Sequence, residues 1–489
     1  MARAVGGRIW YGAWVPAYVE DTIAAVATAP GVGAIAVLRV SGREARTIAS
    51  RVVRGRRGSK LDLKESHRAR VADLVDPITG ETVDEVLVLP MLAPRSYTGE
   101  DTVEIHCHGG SQVPRLALRA ILHAGARAAR AGEFTERAFL NGRLDLCQAE
   151  AVADLIGAAN ETAAAVARSQ LGGLLSTEVS GLREAVLDAR ALCEAHLDFP
   201  EDDLPPAALA DLRSAVADAR LRTASLASTY DRGRLLRDGI RTVLVGKPNV
   251  GKSSLLNALL GRERALVSEE PGTTRDFLEE PAAIGDVAVL LCDTAGMRPA
   301  SDRVETAGID RTRELVNAAD LVMVVLDGSR PLDELDAQVL SETEASTARI
   351  LLRNKSDLPP AWEASDGAGV RRRVNGGDVA VSPPIIDVSA LAGTGIPVLC
   401  EAIRDAVARG GLEGPRERPV VTHERQHAAL GEAIGFLAGA EDLLTGPEAE
   451  LEIVALHLQH ASSALEALLG LASDEEILDR IFRRFCIGK

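Results

Sequence analysis

At 489 residues the chain is too long for one hydrophobic core, and length alone suggests about three domains. Hydrophobic residues make up 46% and charged residues 26%, enough for substantial cores, whereas 3% aromatic residues leave few rings for a platform that stacks single-stranded bases. The formal charge of −16 excludes a protein that coats duplexes by its overall field, so nucleic-acid contact has to be local or helped by a partner.

Residues 1–19, MARAVGGRIWYGAWVPAYV, are aromatic-rich for this chain, and Pro16 interrupts a short apolar run, a poor fit to a secretory signal. A disordered extension or a misplaced start codon is expected there. Residues 20–141 mix the β-like runs GAIAVLRV, DEVLVLPM and DTVEIHCH with glycine- and proline-marked turns, which predicts a small α+β domain. The basic run RVVRGRRGSK (51–60) reads as a solvated loop. In IHCHGG, His106 and His108 share one face of a strand and Cys107 the other, so the three do not converge on a metal and packed histidines are expected.

From 142 to 237 the texture is Ala- and Leu-rich helix, with Ala149, Val152, Ala153 and Ile156 at helical spacing and DFPEDDLPP (198–206) as a loop. Residues 238–409 alternate strands and helices, which predicts a parallel sheet with crossover helices. From 410 onward the chain is helical again, Ser473 and Glu476 forming a capping-box pattern before the last helix. The expected fold is multidomain α/β, with an α/β domain inserted in a helical domain and an α+β domain in front.

RTVLVGKPNVGKSS (241–254) is a strand followed by G-x-x-x-x-G-K-S from Gly246 to Ser253. Its glycines let backbone N–H groups of Asn249, Val250, Gly251 and Lys252 wrap phosphates; Lys252 supplies a charge, Ser253 ligates Mg²⁺, and Ser254 follows on the helix. LLCDTAG (290–296) ends a strand in Asp293, placed to hold Mg²⁺ through water, with Gly296 free to turn toward the γ-phosphate and Thr294 and Ala295 in the same nucleotide-binding loop. RILLRNKSD (349–357) supplies Asn354 and Asp357 for a guanine edge, with Lys355 between them in the nucleotide-binding set, and IIDVSA (385–390) supplies Ser389 and Ala390 to pack on the base. These elements stand in the order of guanine-nucleotide-binding proteins. Met297 occupies the place where Ras-like switches carry the glutamine that orients water, so acceleration has to come from elsewhere. Asn249 with SEEPGTTRD (268–276) resembles the switch of potassium-activated GTPases, in which a monovalent cation lies beside the developing charge; Thr274 is the switch threonine expected on Mg²⁺.

Over residues 20–489 the chain resembles the bacterial MnmE (TrmE) family of tRNA-modification GTPases. The resemblance is carried by DTIAAVATAPGVGAIAVLRVSG, SYTGEDTVEIHCHGG, GEFTERAFLNGRLDLCQAEAVADLI, LDFPEDD, the GTPase loops and RIFRRFCIGK. It implies a folate-binding, dimerising N-terminal domain (20–141), a helical domain in two parts (142–237 and 410–489) and a GTPase domain (238–409) between them. It implies a cytoplasmic homodimer that joins the FAD-containing partner MnmG (GidA) in a heterotetramer, two of each chain. FAD is expected on that partner, since this chain has no G-x-G-x-x-G after a strand. The activity implied is GTP hydrolysis coupled to adding a carboxymethylaminomethyl or aminomethyl group at C5 of the wobble uridine (position 34) of certain tRNAs. The one-carbon source would be 5,10-methylene- or 5-formyl-tetrahydrofolate.

By position, the resemblance puts the water-organising glutamate on Glu305, with Lys252 and Thr274 also catalytic. It puts K⁺ ligands on Asn249, Ser268, Glu270 and Thr273; Glu269, Pro271 and Gly272 complete the nucleotide-binding loop. Ser268 and Glu270 differ in type from familiar members, and Glu270 would offer only its backbone carbonyl. The reduced-folate site falls on Arg39, Glu104, Arg143 and Lys489; Cys486 either lines the same cavity or is a buried helix-end thiol without chemistry. Arg143 stands where lysine also serves.

The Cys486-Ile487-Gly488-Lys489 tail fits a prenylation box poorly, having Gly third and Lys last. A tail reaching back to a folate suits it better, because guanidinium, ammonium and carboxylate groups match an anionic ligand rich in donors and acceptors. The six cysteines lack any CxxC pair and form no disulfide framework, as in a reducing compartment, and no run reaches the ~18 apolar residues of a membrane span. A ribosome-assembly GTPase of the Era or Der type is the alternative, although no GXXG loop followed by the fold of an RNA-binding appendage stands near the C-terminus. A passive nucleotide switch is a further one.

Overall fold

The computed structural model describes residues 21–55, 59, 61–198, 206–262, 279–284, 287–293, 314–344, 348–362, 372–374, 377–379, 385–407, 418–446, 450–471, 475–483 and 485–489. It forms two compact units: one comprises residues up to 153 with 170–224 and 428–489, the other 154–169 with 225–427. Both are interrupted in sequence, so the α/β segment is an insertion.

The first unit contains a seven-stranded sheet in the order β3-β4-β5-β6-β2-β1-β7. Its strands are β1 (Ile23–Val26), β2 (Ile35–Ser41), β3 (Val53–Arg54), β4 (Arg70–Val75), β5 (Thr82–Met91), β6 (Thr102–His108) and β7 (Arg127–Ala128). Strict alternation sorts the residues of β2 and β6 between two faces. Ala36, Leu38, Val40, Val103, Ile105 and Cys107 are buried beneath α1 (Ala45–Val52) and α2 (Val113–His123), while Arg39, Glu104 and His106 lie on the opposite face. Register sets Arg39 opposite Glu104 and Val37 opposite His106.

The basic run at 51–60 is only partly the loop its composition suggests. Arg51 and Val52 end α1, and Val53 and Arg54 pair with β4 because the two valines are buried. Arg51 is fixed through a hydrogen bond from Nη1 to the Ala124 carbonyl, 2.6 Å.

The helical part of this unit packs α6 (Leu174–Asp198) against the helix Leu451–Leu469. Arg183 reaches Glu466 at 2.7 Å, and Cys193 Sγ donates to the Leu451 carbonyl. The predicted helix over 149–156 is α4 (Leu146–Gly157); Ala149 and Val152 are buried but Ile156 is half exposed, so the apolar stripe ends before the helix does. The Ser473 cap, the 199–205 loop and residues 1–19 lie outside the described residues.

The second unit is built on a six-stranded sheet, β15-β12-β11-β8-β10-β9. These are β8 (Ile240–Val245), β9 (Glu279–Ile284), β10 (Val287–Asp293), β11 (Leu321–Asp327), β12 (Arg349–Asn354) and β15 (Ile385–Asp387), with β13 (Arg372–Val374) and β14 (Gly377–Val379) forming a separate hairpin. All neighbours are parallel except β9, which runs antiparallel along β10 at the edge. The central strand LVMVVLD is buried throughout, as a strand covered on both faces must be. Leu321, Met323 and Val325 join one core with Leu244 and Leu291, and Val322, Val324 and Leu326 join another with Val243 and Trp362. Among the described residues no helix is long and apolar enough to cross a membrane.

Candidate functional site

Strand β8 runs straight into the phosphate-binding loop and the helix α9 (Lys252–Arg262). Gly246, at φ 154°, passes so close to β11 that an added Cβ would lie 2.4 Å from the Val325 carbonyl oxygen. Gly251, at φ 97°, is held as tightly, since a Cβ there would sit 2.3 Å from Asn354 Nδ2. Asn249 has a positive φ of 64° despite its side chain, and it is exposed. These turns carry the loop to the N-terminus of α9, where backbone N–H groups and the helix dipole favour an anion. Lys252 is buried, and its ammonium donates to the carbonyls of Gly246 (2.8 Å) and Lys247 (2.9 Å) across the loop. Ser253 and Ser254 follow, both exposed, in the first turn of the helix.

The N-K-x-D loop and the Ser389–Ala390 loop brace one another. Asn354 is buried; its Nδ2 donates to the Val250 carbonyl at 2.8 Å and its Oδ1 accepts from Ala390 N–H at 3.1 Å. One amide therefore ties the phosphate loop to the 389–390 loop, a task beyond the guanine reading that its motif suggests. Ser389 Oγ donates to Asp357 at 2.5 Å and accepts from Ala392 N–H at 3.0 Å. Lys355, at φ 65°, pairs with Asp327 at 2.6 Å. Burial pushes the Asp327 carboxyl up, but the bonds from Lys355 and Ser329 outweigh it and hold the group below its usual range.

Two features of this site escape a reading by motif. Lys247 inside the phosphate loop pairs with Asp333 (2.7 Å) and Asp336 (2.6 Å), which together form the capping box of the helix Glu334–Glu342. Burial would lower the Lys247 ammonium, and the two carboxylates raise it instead. The Asp-x-x-Asp spacing was the available signal. Trp362 Nε1 also donates to the Asp327 carbonyl at 3.0 Å, closing the end of β11. Asp293 ends β10 as its motif requires. Thr294, Ala295, Gly296, Met297, Glu305 and the switch residues Ser268, Glu269, Glu270, Pro271, Gly272, Thr273 and Thr274 lie outside the described residues.

A second polar constellation occupies the N-terminal sheet. Arg39 clamps Glu104 Oε1 through Nε (3.0 Å) and Nη2 (2.9 Å). Its guanidinium carbon stands 5.1 Å from the Tyr97 ring centroid and 5.6 Å from that of Phe134, both at cation–π range. The aromatic pair comes from a loop and from α3 (Glu133–Leu140), far from Arg39 in sequence, so no local spacing announces it. The chain's last residues fold onto the same region. Ala131 and Ile487 form an antiparallel bridge, Gly132 N–H donates to the Cys486 carbonyl, and Phe134 N–H donates to Lys489 O. Burial and the Arg39 charge lower the Lys489 ammonium, while Glu104 partly offsets them. Gly488 allows this approach, because a Cβ would lie 2.5 Å from the Val26 carbonyl oxygen.

Arg143 lays its stem against Gly99, next but one to Tyr97, and Cys486 is exposed. Arg39, Glu104 and Lys489 are thus brought together, with Arg143 on the adjoining loop. In the neighbouring IHCHGG segment Cys107 faces the core, where burial and the Asp84 charge push its thiol up to about 11. His108 Nδ1 lies 2.8 Å from Asp84, and His106 faces Glu104.

The parallel sheet, its strand–loop–helix phosphate loop and the N-K-x-D strand end define a P-loop GTPase, an enzyme that hydrolyses GTP. A family model described as the MnmE helical domain matches residues 146–486, and one described as the GTP-binding protein TrmE N-terminus matches 22–143. A tRNA modification GTPase MnmE of Geobacter sulfurreducens is 45% identical over 472 residues, covering 96% of this chain and 100% of the relative. Another of Moorella thermoacetica is 42% identical over 477 residues, with the same coverages of 96% and 100%. Among solved structures, the G domain of the T. maritima FeoB iron transporter aligns with 34% of this chain and 98% of its own at 25% identity and a TM-score of 0.23, too slight to add to the fold. The chain belongs to the MnmE family of tRNA modification GTPases.

Proposed function

We propose that the chain hydrolyses GTP with the help of K⁺ in a complex that builds an aminomethyl-type group on C5 of the wobble uridine of certain tRNAs, drawing the one-carbon unit from a reduced folate. A homodimer joined by the FAD-containing partner MnmG is part of this reading. The observation that carries it is the Arg39–Glu104 clamp between two aromatic rings, beneath a C-terminal tail that brings Lys489 into its field. Cations and a carboxylate around aromatic faces suit a ligand with an anionic tail and a donor-rich ring.

In the GTPase unit the hydroxyl of Ser253, exposed at the head of α9, is a hard oxygen donor fit for Mg²⁺, which would neutralise phosphate charge; Asp293 and Thr274 complete the set by motif. Asn249 stands out of the phosphate loop at positive φ, exposed and with an amide oxygen to offer a monovalent cation. Ser268, Glu270 and Thr273 are its proposed co-ligands and Glu305 the proposed organiser of water. An Era- or Der-type role would leave unexplained why family similarity spans the N-terminal and helical segments as well.

Calorimetry tests the folate reading. The intact chain is expected to bind 5-formyltetrahydrofolate, and a chain lacking Cys486 to Lys489 to bind it no longer; absence of binding to the intact chain would remove folate from the proposal. The cation is tested by turnover in K⁺ against Na⁺ at matched ionic strength. A difference on the order of a hundredfold is expected if the cation supplies the electrostatic stabilisation that no glutamine provides, and equal rates would eliminate that role.

A further inference from the structure

Three polar residues, Arg39, Glu104 and His106, share the face of the N-terminal sheet turned away from α1 and α2. Arg39 spends Nε and Nη2 on Glu104 Oε1, and its remaining nitrogen, Nη1, is shielded from solvent with no hydrogen-bond partner among the described residues. Glu104 Oε2 faces His106 Nε2 at 3.5 Å, too long for a good hydrogen bond. His106 Nε2 is also shielded and has no hydrogen-bond partner among the described residues. The nearest residues in register, Val37 and Leu87, are apolar and offer it nothing. Buried polar atoms without partners are uncommon in a native protein, and His106 Nε2 faces the same carboxylate that Arg39 holds, so the group is placed to meet a further ligand.

The order of the groups says which ligand edge they match. A carboxylate takes the N–H donors of a ring, and a nitrogen donor beside it takes an acceptor adjacent to those donors. A pterin presents that edge, with its 2-amino and N3–H groups next to the 4-oxo oxygen. The charge on Glu104 favours the imidazole tautomer with its proton on Nε2, the form that donates. We infer that His106 is a specificity-determining residue of this site, its Nε2–H reading the oxo group of a bound pterin while Glu104 holds the neighbouring donors. The inference rests on the proposed folate binding and adds a residue to it.

The test compares 5-formyltetrahydrofolate binding by calorimetry for the full wild-type chain and three variants. In His106→Gln an amide N–H reaches the same place, in His106→Asn it falls one methylene short, and in His106→Leu the volume stays but the donor is gone. Affinity is expected to stay within about threefold for the glutamine variant and to fall about tenfold or more for the other two, the loss of one buried hydrogen bond. Leucine suits a half-buried strand position, so a merely structural histidine predicts the leucine variant to bind like wild type, or all three to weaken alike. Either result overturns the role of His106. If the leucine variant does not fold, the glutamine–asparagine contrast alone decides. Failure of the wild-type chain to bind any folate is a different outcome, read before a variant is made, and it removes the site itself.

Discussion

Replacing Lys252 with alanine is expected to lower the rate of GTP hydrolysis on the order of a hundredfold or more, as loss of a preorganised charge at a developing anion does. The side chain is buried at the head of α9, and its ammonium is held between the carbonyls of Gly246 and Lys247. Those contacts keep a positive charge over the loop before any phosphate arrives, so little reorganisation is needed when negative charge develops on the β–γ bridge. No glutamine follows the D-T-A-G sequence in this chain, where Met297 stands instead, so the loop carries more of the stabilisation. Phosphate release under single-turnover conditions, with GDP affinity measured alongside, separates the two roles of the lysine. A variant that hydrolyses GTP within a few-fold of wild type would show that this charge does not act on the transition state.

The phosphate loop was legible in the sequence because its parts are contiguous. A strand, a glycine-spaced loop and a helix start within fourteen residues from Arg241 to Ser254, and each motif sits at the end of its own strand. The braces between those motifs were not legible. Lys247 meets Asp333 and Asp336, Lys355 meets Asp327, and Asn354 meets Val250 across the sheet. Each contact depends on strand order, which a pattern along the chain does not give. The same limit hid the Tyr97 and Phe134 rings around Arg39. Charge composition misled at 51–60, where Val52 and Val53 decided the structure and the arginines followed on its surface. In the N-terminal site, Arg39 and Glu104 were named through family resemblance, whereas the unpartnered Nε2 of His106 beside Glu104 shows only in the folded sheet.

Arg137→Ala is expected to destabilise the N-terminal unit by about 3–5 kcal/mol, the cost of breaking a buried ion pair from one side. The Arg137 side chain is only 3% exposed, as is that of Glu133, one turn away at 3.1 Å. The same guanidinium holds Asp21 at 2.6 Å and Glu100 at 3.3 Å, and it donates to the Asp21 carbonyl at 2.9 Å. Without it Glu133 keeps Arg127 and the Arg130 N–H, but Glu100 and Asp21 lose a shared cation. Arg137→Lys would keep the charge and lose the fork that spans three carboxylates, so an intermediate loss is expected.

The pH dependence has a definite sign. Burial alone would raise the carboxyls of Asp21 and Glu133, but their bonds to Arg127 and Arg137 outweigh it and hold both below the usual carboxylate range. Groups lowered in the folded state contribute stability above their unfolded pKa values, near 4, and lose it as the pH falls through the folded ones. Urea midpoints of wild type and the alanine variant should therefore differ most near neutral pH and converge in acid. A constant gap down to pH 2 would mean that Arg137 acts by packing instead. Because Glu133 opens the helix whose Phe134 N–H holds Lys489, loosening this network should weaken the proposed folate binding together with the fold.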